Sequence, residues 1–228
     1  MPEVTINGAE GRLEGRYTPA ANPRAPVAVL LHPHPQYGGT MHNKVVYTLN
    51  QCFVRGGFAT LRFNFRGVGR SQGSFARGEG ELTDAASALD WIQAFNPNAG
   101  ACWIAGFSFG AWIGMQLLMR RPEIHRFVAA APPANVYDFG FLAPCPSSGL
   151  ILQGDKDEIV TEESARKLAE KLGKQKDITI EYRVIKGANH FFTDRLDKLA
   201  AATSDYIAGV LRPPGEKKAG SRARAAAR

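Results

Sequence analysis

Between residues 25 and 210 the chain alternates short apolar runs of strand length with longer segments whose apolar residues recur every three or four positions. Residues 25–32 (APVAVLLH), 58–65, 101–105 (ACWIA), 127–131, 149–153 and 178–185 are of the first kind. Uninterrupted apolar runs of this length suit strands covered on both faces. Helical spacing joins Val45, Val46, Leu49, Cys52 and Phe53, and then Leu82, Ala85, Ala86, Leu89 and Ile92. It returns over residues 111–119, in Ala165, Leu168, Ala169 and Leu172, and in Leu196, Leu199, Ala200, Thr203, Tyr206, Ile207 and Val210. Gly56-Gly57 stops the first of these helices. Strand then helix, repeated, predicts an α/β fold: a mostly parallel open sheet with helices on both faces. Residues 4–17 predict an antiparallel hairpin at the sheet edge, turning at Asn7-Gly8. No repeat or linker breaks the pattern, so residues 1–211 are expected to form one domain.

In open sheets of this kind ligands bind at the carboxyl ends of the strands, which confines the search for chemistry to the loops that follow them. Gly106-Phe107-Ser108-Phe109-Gly110 lies directly between the strand ACWIA and the helix beginning AWIGM. G-x-S-x-G alone is a common pattern. On a strand-to-helix turn it is a nucleophile elbow, with the serine hydroxyl thrust out at the sheet edge and a helix N-terminus beneath it. A serine hydroxyl needs a base, and the base needs a carboxylate to orient it. His190 stands in Gly187-Ala188-Asn189-His190-Phe191-Phe192, after the strand at 178–185. Asp155 and Asp157 both stand in Gly154-Asp155-Lys156-Asp157-Glu158-Ile159-Val160, after the strand at 149–153. The order Ser108, Asp, His190 is that of an elbow hydrolase; Asp157 is preferred as the acid, with Asp155, a possible turn former, as the alternative.

These segments, together with HPHPQYGGTMHNKVV (32–46) and FNFRGVGRSQG (63–73), resemble the α/β-hydrolase superfamily, specifically its small cap-less bacterial serine hydrolases. The resemblance spans nearly the whole chain before its last residues, in family order. It implies Asp157, the second Asp of G-D-x-D-x-x-V, as the acid. It also implies an oxyanion hole from the loop after the first parallel strand, where related hydrolases carry His-Gly-x. Here that stretch is His32-Pro33-His34, so the glycine is replaced and the backbone N–H of His34 becomes the expected donor, stiffened by flanking prolines. Mechanism supplies the other donor, the N–H of Phe109 after the nucleophile.

Residues 132–148, rich in aromatics and proline, are too short for a helical cap, which predicts a shallow site with Tyr37, Phe109, Tyr137 and Phe139 as walls. His32, His34 and His42 have an H-x-H spacing, but no Cys, Asp or Glu accompanies them, so no metal is expected. The glycines of Arg66-Gly67-Val68-Gly69-Arg70-Ser71 lack the spacing and lysine of a phosphate loop and read as a tight turn. The expected activity is hydrolysis of a small-molecule ester or thioester without a cofactor. A serine peptidase or amidase is the alternative on the same fold.

A formal net charge of +7, from 28 basic and 21 acidic residues, invites a polyanion partner. Residues 212–228, however, hold six of the basic residues and one acid. The remainder is close to neutral at +2, and the basic segment reads as a disordered tail. A retired hydrolase binding polyanions through this tail is therefore the weaker reading, and nucleic acid is disfavoured. Cys52, Cys102 and Cys145 form no CxxC pair, residues 1–4 lack a signal-peptide pattern, and no apolar run approaches membrane-spanning length. A cytoplasmic location is expected, with no membrane partner.

Overall fold

The structure, a computed structural model, describes residues 2–212. The basic segment expected at 212–228 therefore falls, apart from Arg212, outside the described residues. Thirteen elements run in the order β1 (Glu3–Gly8), β2 (Gly11–Thr18), β3 (Val27–Leu31), α1 (Lys44–Arg55), β4 (Ala59–Phe63), α2 (Glu79–Phe95), β5 (Cys102–Phe107), α3 (Phe109–Leu118), β6 (Ile124–Ala130), β7 (Ser148–Gly154), α4 (Glu162–Gly173), β8 (Ile180–Ile185) and α5 (Leu196–Leu211). The sheet order is β1-β2-β4-β3-β5-β6-β7-β8. β1 and β2 are antiparallel to their neighbours, and β4 onward is parallel throughout.

The two-residue period of a strand divides the apolar side chains between two cores. Val27, Val29 and Leu31 of β3 and Ile104 of β5 meet Ala85, Leu89 and Ile92 of α2, Ile113 and Leu117 of α3 and Leu172 of α4. The alternate residues, Ala28 and Leu30 of β3 and Trp103, Ala105 and Phe107 of β5, face Leu49 and Phe53 of α1 and Tyr206 and Ile207 of α5. Covering both faces explains why the central strands are apolar without alternation, as their sequence implied.

Three details differ from the sequence-based expectation. The hairpin pairs Gly8 with Gly11, so it turns at Ala9-Glu10 rather than Asn7-Gly8. Gly11 takes φ 120°, and a Cβ there would come within 2.5 Å of the Gln72 side-chain oxygen, so packing against a distant loop fixes the turn. β6 begins at Ile124, three residues early, because the polar His125 and Arg126 separate the buried Ile124 from the apolar run that follows. β4 ends at Phe63, after which Phe65 N–H donates to the side chain of His32 instead of to a neighbouring strand.

The loop from β4 to α2 is anchored by buried charge. The Arg66 guanidinium makes two hydrogen bonds to Asp84 of α2, at 3.0 and 2.8 Å, with both side chains almost wholly buried, and reaches Glu10 at 2.7 Å. Ser71 Oγ accepts from Glu14 N–H and donates to the Asn64 carbonyl, tying the same loop to β2. The glycine-rich turn thus serves the scaffold. Breaking a buried pair leaves an uncompensated charge, whereas exposed pairs contribute little. Asp84→Ala is expected to lower the unfolding free energy by about 3 kcal/mol in urea titrations, and Arg70→Ala, removing an exposed cation, by less than about 1 kcal/mol.

Candidate active site

Ser108 occupies the junction between β5 and α3 with φ 53° and ψ −119°, a left-handed conformation that costs a side-chain-bearing residue about 1–3 kcal/mol. The flanking glycines permit it through close approach. A Cβ on Gly106 would lie 2.4 Å from the carbonyl of Gly110, and one on Gly110 would lie 2.4 Å from the carbonyl oxygen of Leu31 in β3. Only glycine lets the chain turn this tightly from strand to helix against the neighbouring strand. The result is a partly exposed hydroxyl above the sheet edge.

His190 and Asp157 arrive from the loops after β8 and β7. His190 Nε2 lies 3.1 Å from Ser108 Oγ, and His190 Nδ1 lies 2.8 Å from Asp157 Oδ2. Burial disfavours the charged form of Asp157, but the His190 ring and the amides of Val160 and Ile159 outweigh it, and the carboxyl sits below its ordinary range. The carboxylate is therefore ionised at neutral pH and fixes Nδ1 as the protonated nitrogen. Nε2 is left as the acceptor facing the serine.

Asp155, the alternative acid, is elsewhere. Its Oδ1 accepts from Gly187 N–H at 2.6 Å, and its Oδ2 lies 3.4 Å from Lys186 Nζ. It joins the Asp157 loop to the His190 loop. The same two loops meet where Lys156 N–H donates to the Ala188 carbonyl, a contact close enough that a Cβ on Gly154 would lie 2.3 Å from that oxygen.

Gln153, which sequence reasoning passed over, holds the acid from below. This fully buried side chain at the end of β7 donates from Nε2 to Asp157 Oδ2 at 3.0 Å and to the Val160 carbonyl at 2.9 Å. The available signal was a glutamine closing an otherwise apolar strand. A polar group there needs a buried partner.

On the opposite side, the loop after β3 carries His34. Its ring packs 4.9 Å from Phe109, 4.8 Å from Phe75 and 4.7 Å from Tyr37. Neither the His34 nor the Phe109 amide N–H has an acceptor among the described residues. Pro35 opens a short 3₁₀ turn over Pro35–Tyr37, and His34 Nδ1 accepts from Gln36 N–H to cap it.

His32 is the strut beneath this loop. Wholly buried, it donates from Nδ1 to the Pro33 carbonyl at 2.7 Å and accepts at Nε2 from Phe65 N–H at 3.0 Å. Both nitrogens are thereby committed to the backbone. His42, the third histidine of the segment, is exposed.

Of the expected walls, Tyr37 is 86% exposed, and Tyr137 stacks on Trp112 at 4.3 Å while meeting Phe109 edge-on. Phe109 and Phe139 depart from expectation. Phe109 is buried in the core beneath the His34 ring. Phe139 is buried too and stacks on Phe141, because the β6-to-β7 connection folds its aromatics inward as packing. That connection contains no helix that could form a cap.

Burial, with the neighbouring His34 adding to it, pushes the His32 pKa down to about 4 from an ordinary 6.5, against the pull of the Pro33 carbonyl. The fold therefore binds neutral His32. Its contribution is complete above pH 6.5 and disappears as pH falls toward 4, a loss on the order of 3 kcal/mol. Denaturant titrations at pH 7 and pH 4 are expected to show wild-type protein losing this much relative to His32→Gln, which has no titrating group there.

The model of the X-Pro dipeptidyl-peptidase (S15) family matches residues 16–207. An uncharacterized protein of Rickettsia prowazekii (strain Madrid E) is 54% identical over 211 residues, 91% of this chain and 89% of that one. Among solved structures, a protein of unknown function from Agrobacterium tumefaciens, described as an alpha/beta hydrolase, is 58% identical with a TM-score of 0.90, over 92% of this chain and 96% of that one. A serine hydrolase without lid from Xanthomonas campestris is 32% identical with a TM-score of 0.83, over 93% of this chain and 95% of that one. A match running from β2 to α5, on a sheet with this strand order and entry hairpin, makes the chain a member of the α/β-hydrolase superfamily, in the X-Pro dipeptidyl-peptidase (S15) family, and of the small kind that carries no cap.

Proposed function

We propose that the protein is a serine hydrolase that cleaves carboxylic esters or thioesters through an acyl-enzyme. The observation that carries this reading is the continuous chain of contacts from Ser108 Oγ through the His190 ring to Asp157 Oδ2. Ser108 Oγ attacks the substrate carbonyl carbon as His190 Nε2 takes its proton. The carbonyl oxygen becomes an oxyanion within reach of the His34 and Phe109 amides, donors worth roughly 10²–10³ in rate each. Collapse of the intermediate breaks the bond to the leaving oxygen or sulfur, which receives the proton from His190. Water then attacks the acyl-Ser108 ester, passes a proton to His190, and the free acid departs as that proton returns to Ser108.

A peptidase reading draws support from the family's description. An amide nitrogen is a poorer leaving group than an alkoxide or thiolate, and a dipeptidyl-peptidase must also hold its substrate's terminal ammonium. Glu81, whose charge acts on His34, is fully buried and accepts from the Ala76 and Gly78 amides, so it is committed to the start of α2. The aromatic surroundings of Ser108 favour an uncharged ester.

A fluorophosphonate probe is expected to label wild-type protein and to leave folded Ser108→Ala unlabelled; folded wild type without label overturns the reading. In steady-state ester hydrolysis, Asp157→Asn is expected to lower kcat by about 10³–10⁴ through the wrong tautomer. Asp155→Asn and Gln153→Leu, which act through the position of the acid, should each lower it by roughly tenfold. The reverse ranking of the two aspartates would move the acid to Asp155.

A further inference from the structure

The mechanism fixes where a leaving group must lie. The proton taken from Ser108 is handed by His190 Nε2 to the departing atom. The leaving group therefore projects toward the imidazole's side of the scissile bond, away from His34 and Tyr37. On the imidazole's side, between the start of α1 and the segment joining β8 to α5, lies a cleft of about 480 Å³. Its apolar surface comes from Phe191, Leu196 and Val45. Phe191 follows His190 in the chain, its ring stands edge-on 5.2 Å from the imidazole, and it is 51% exposed. Phe191 thus stands beside the base and on the cleft, where its exposed face is placed to meet a ligand.

The charge around the cleft restricts what can enter. Among the described residues Lys44 is the one cation lining it, set against Asp194 and Asp197, the latter 3.8 Å from Lys198. The described residues thus place no cluster of cations there to neutralise a phosphorylated carrier. Its volume falls within the range of small-molecule sites.

We infer that this cleft is the leaving-group subsite and that it takes an uncharged, largely apolar alcohol or thiol. The inference rests on the serine-hydrolase reading above, and it narrows the substrate class to neutral esters and thioesters with a bulky leaving group.

The test uses two butyrate esters whose alcohols have similar acidity, methyl butyrate and 2-phenylethyl butyrate. For wild-type protein kcat/KM should favour the phenylethyl ester by about tenfold or more, the gain from burying a phenyl group. Leu196→Trp, which fills the cleft, should abolish that preference through a loss of about tenfold on the phenylethyl ester. Phe191→Ala should reduce the preference independently, which keeps the test decisive should the tryptophan variant fail to fold. Butyryl-N-acetylcysteamine should be hydrolysed at least about tenfold faster than butyryl-coenzyme A. Asp194→Asn with Asp197→Asn should narrow that gap at low salt, where exposed charges act over the longest range.

A wild-type enzyme that is labelled by fluorophosphonate and hydrolyses methyl butyrate, yet shows no leaving-group preference, overturns the subsite alone. So does a folded Leu196→Trp that loses both esters equally or discriminates by acyl length. Wild-type protein that is unlabelled and hydrolyses none of the four substrates overturns the hydrolase reading, and the subsite with it.

Discussion

At residues 106–110 three backbones come closer together than side chains allow, and the geometry of the site follows from that contact. Gly106 touches the first turn of α3, and Gly110 touches the end of β3. With no Cβ at either position, β5 can reverse into α3 while remaining in register with β3 on one side and β6 on the other. The turn forces Ser108 into a left-handed conformation, and the packed sheet around it maintains that conformation. Ser108 N–H donates to the Ala130 carbonyl at the end of β6, so the strained residue is also fastened to the neighbouring strand. The hydroxyl is consequently presented by a turn fastened to the strands on both sides.

The loops that complete the site are held largely by polar side chains, most of them buried. His32 ties the His34 loop to the residues after β4. Arg66 and Asp84 fasten those residues to α2. Gln153 supports Asp157 from the strand that precedes it, and Asp155 joins the Asp157 loop to the loop carrying His190. The buried groups His32, Arg66, Asp84 and Gln153 are each hydrogen-bonded to backbone or to a charged partner, as burial demands. The sheet decides roughly where each loop begins, and the struts decide where its functional atom ends up.

How far the sequence could be read depended on the range of the interaction involved. Strands and helices were legible because apolar periodicity is a local record of burial, and both periods appear in the chain. The G-F-S-F-G turn was legible because its glycines are needed within five residues of one another. The hairpin turn was misplaced by two residues, since Gln72, some sixty positions away, crowds Gly11. Phe139 was misplaced for a similar reason: an aromatic in a loop looks the same whether it faces a ligand or the core. The family pattern G-D-x-D-x-x-V already favoured Asp157 over Asp155, and the path of the β8-to-α5 loop brings His190 to Asp157 and Gly187 to Asp155.

The sequence by itself determined the parallel α/β architecture, the elbow serine, and the strand-end loops that carry its partners. These are set by local periodicity and by chain order. The tertiary structure alone decided the contacts by which Asp157 meets His190, that Gln153 and His32 serve as struts, and that a cleft opens beside Phe191 rather than at Phe139. All of these depend on contacts between segments tens of residues apart, where direction and distance are products of packing and leave no periodic trace along the chain.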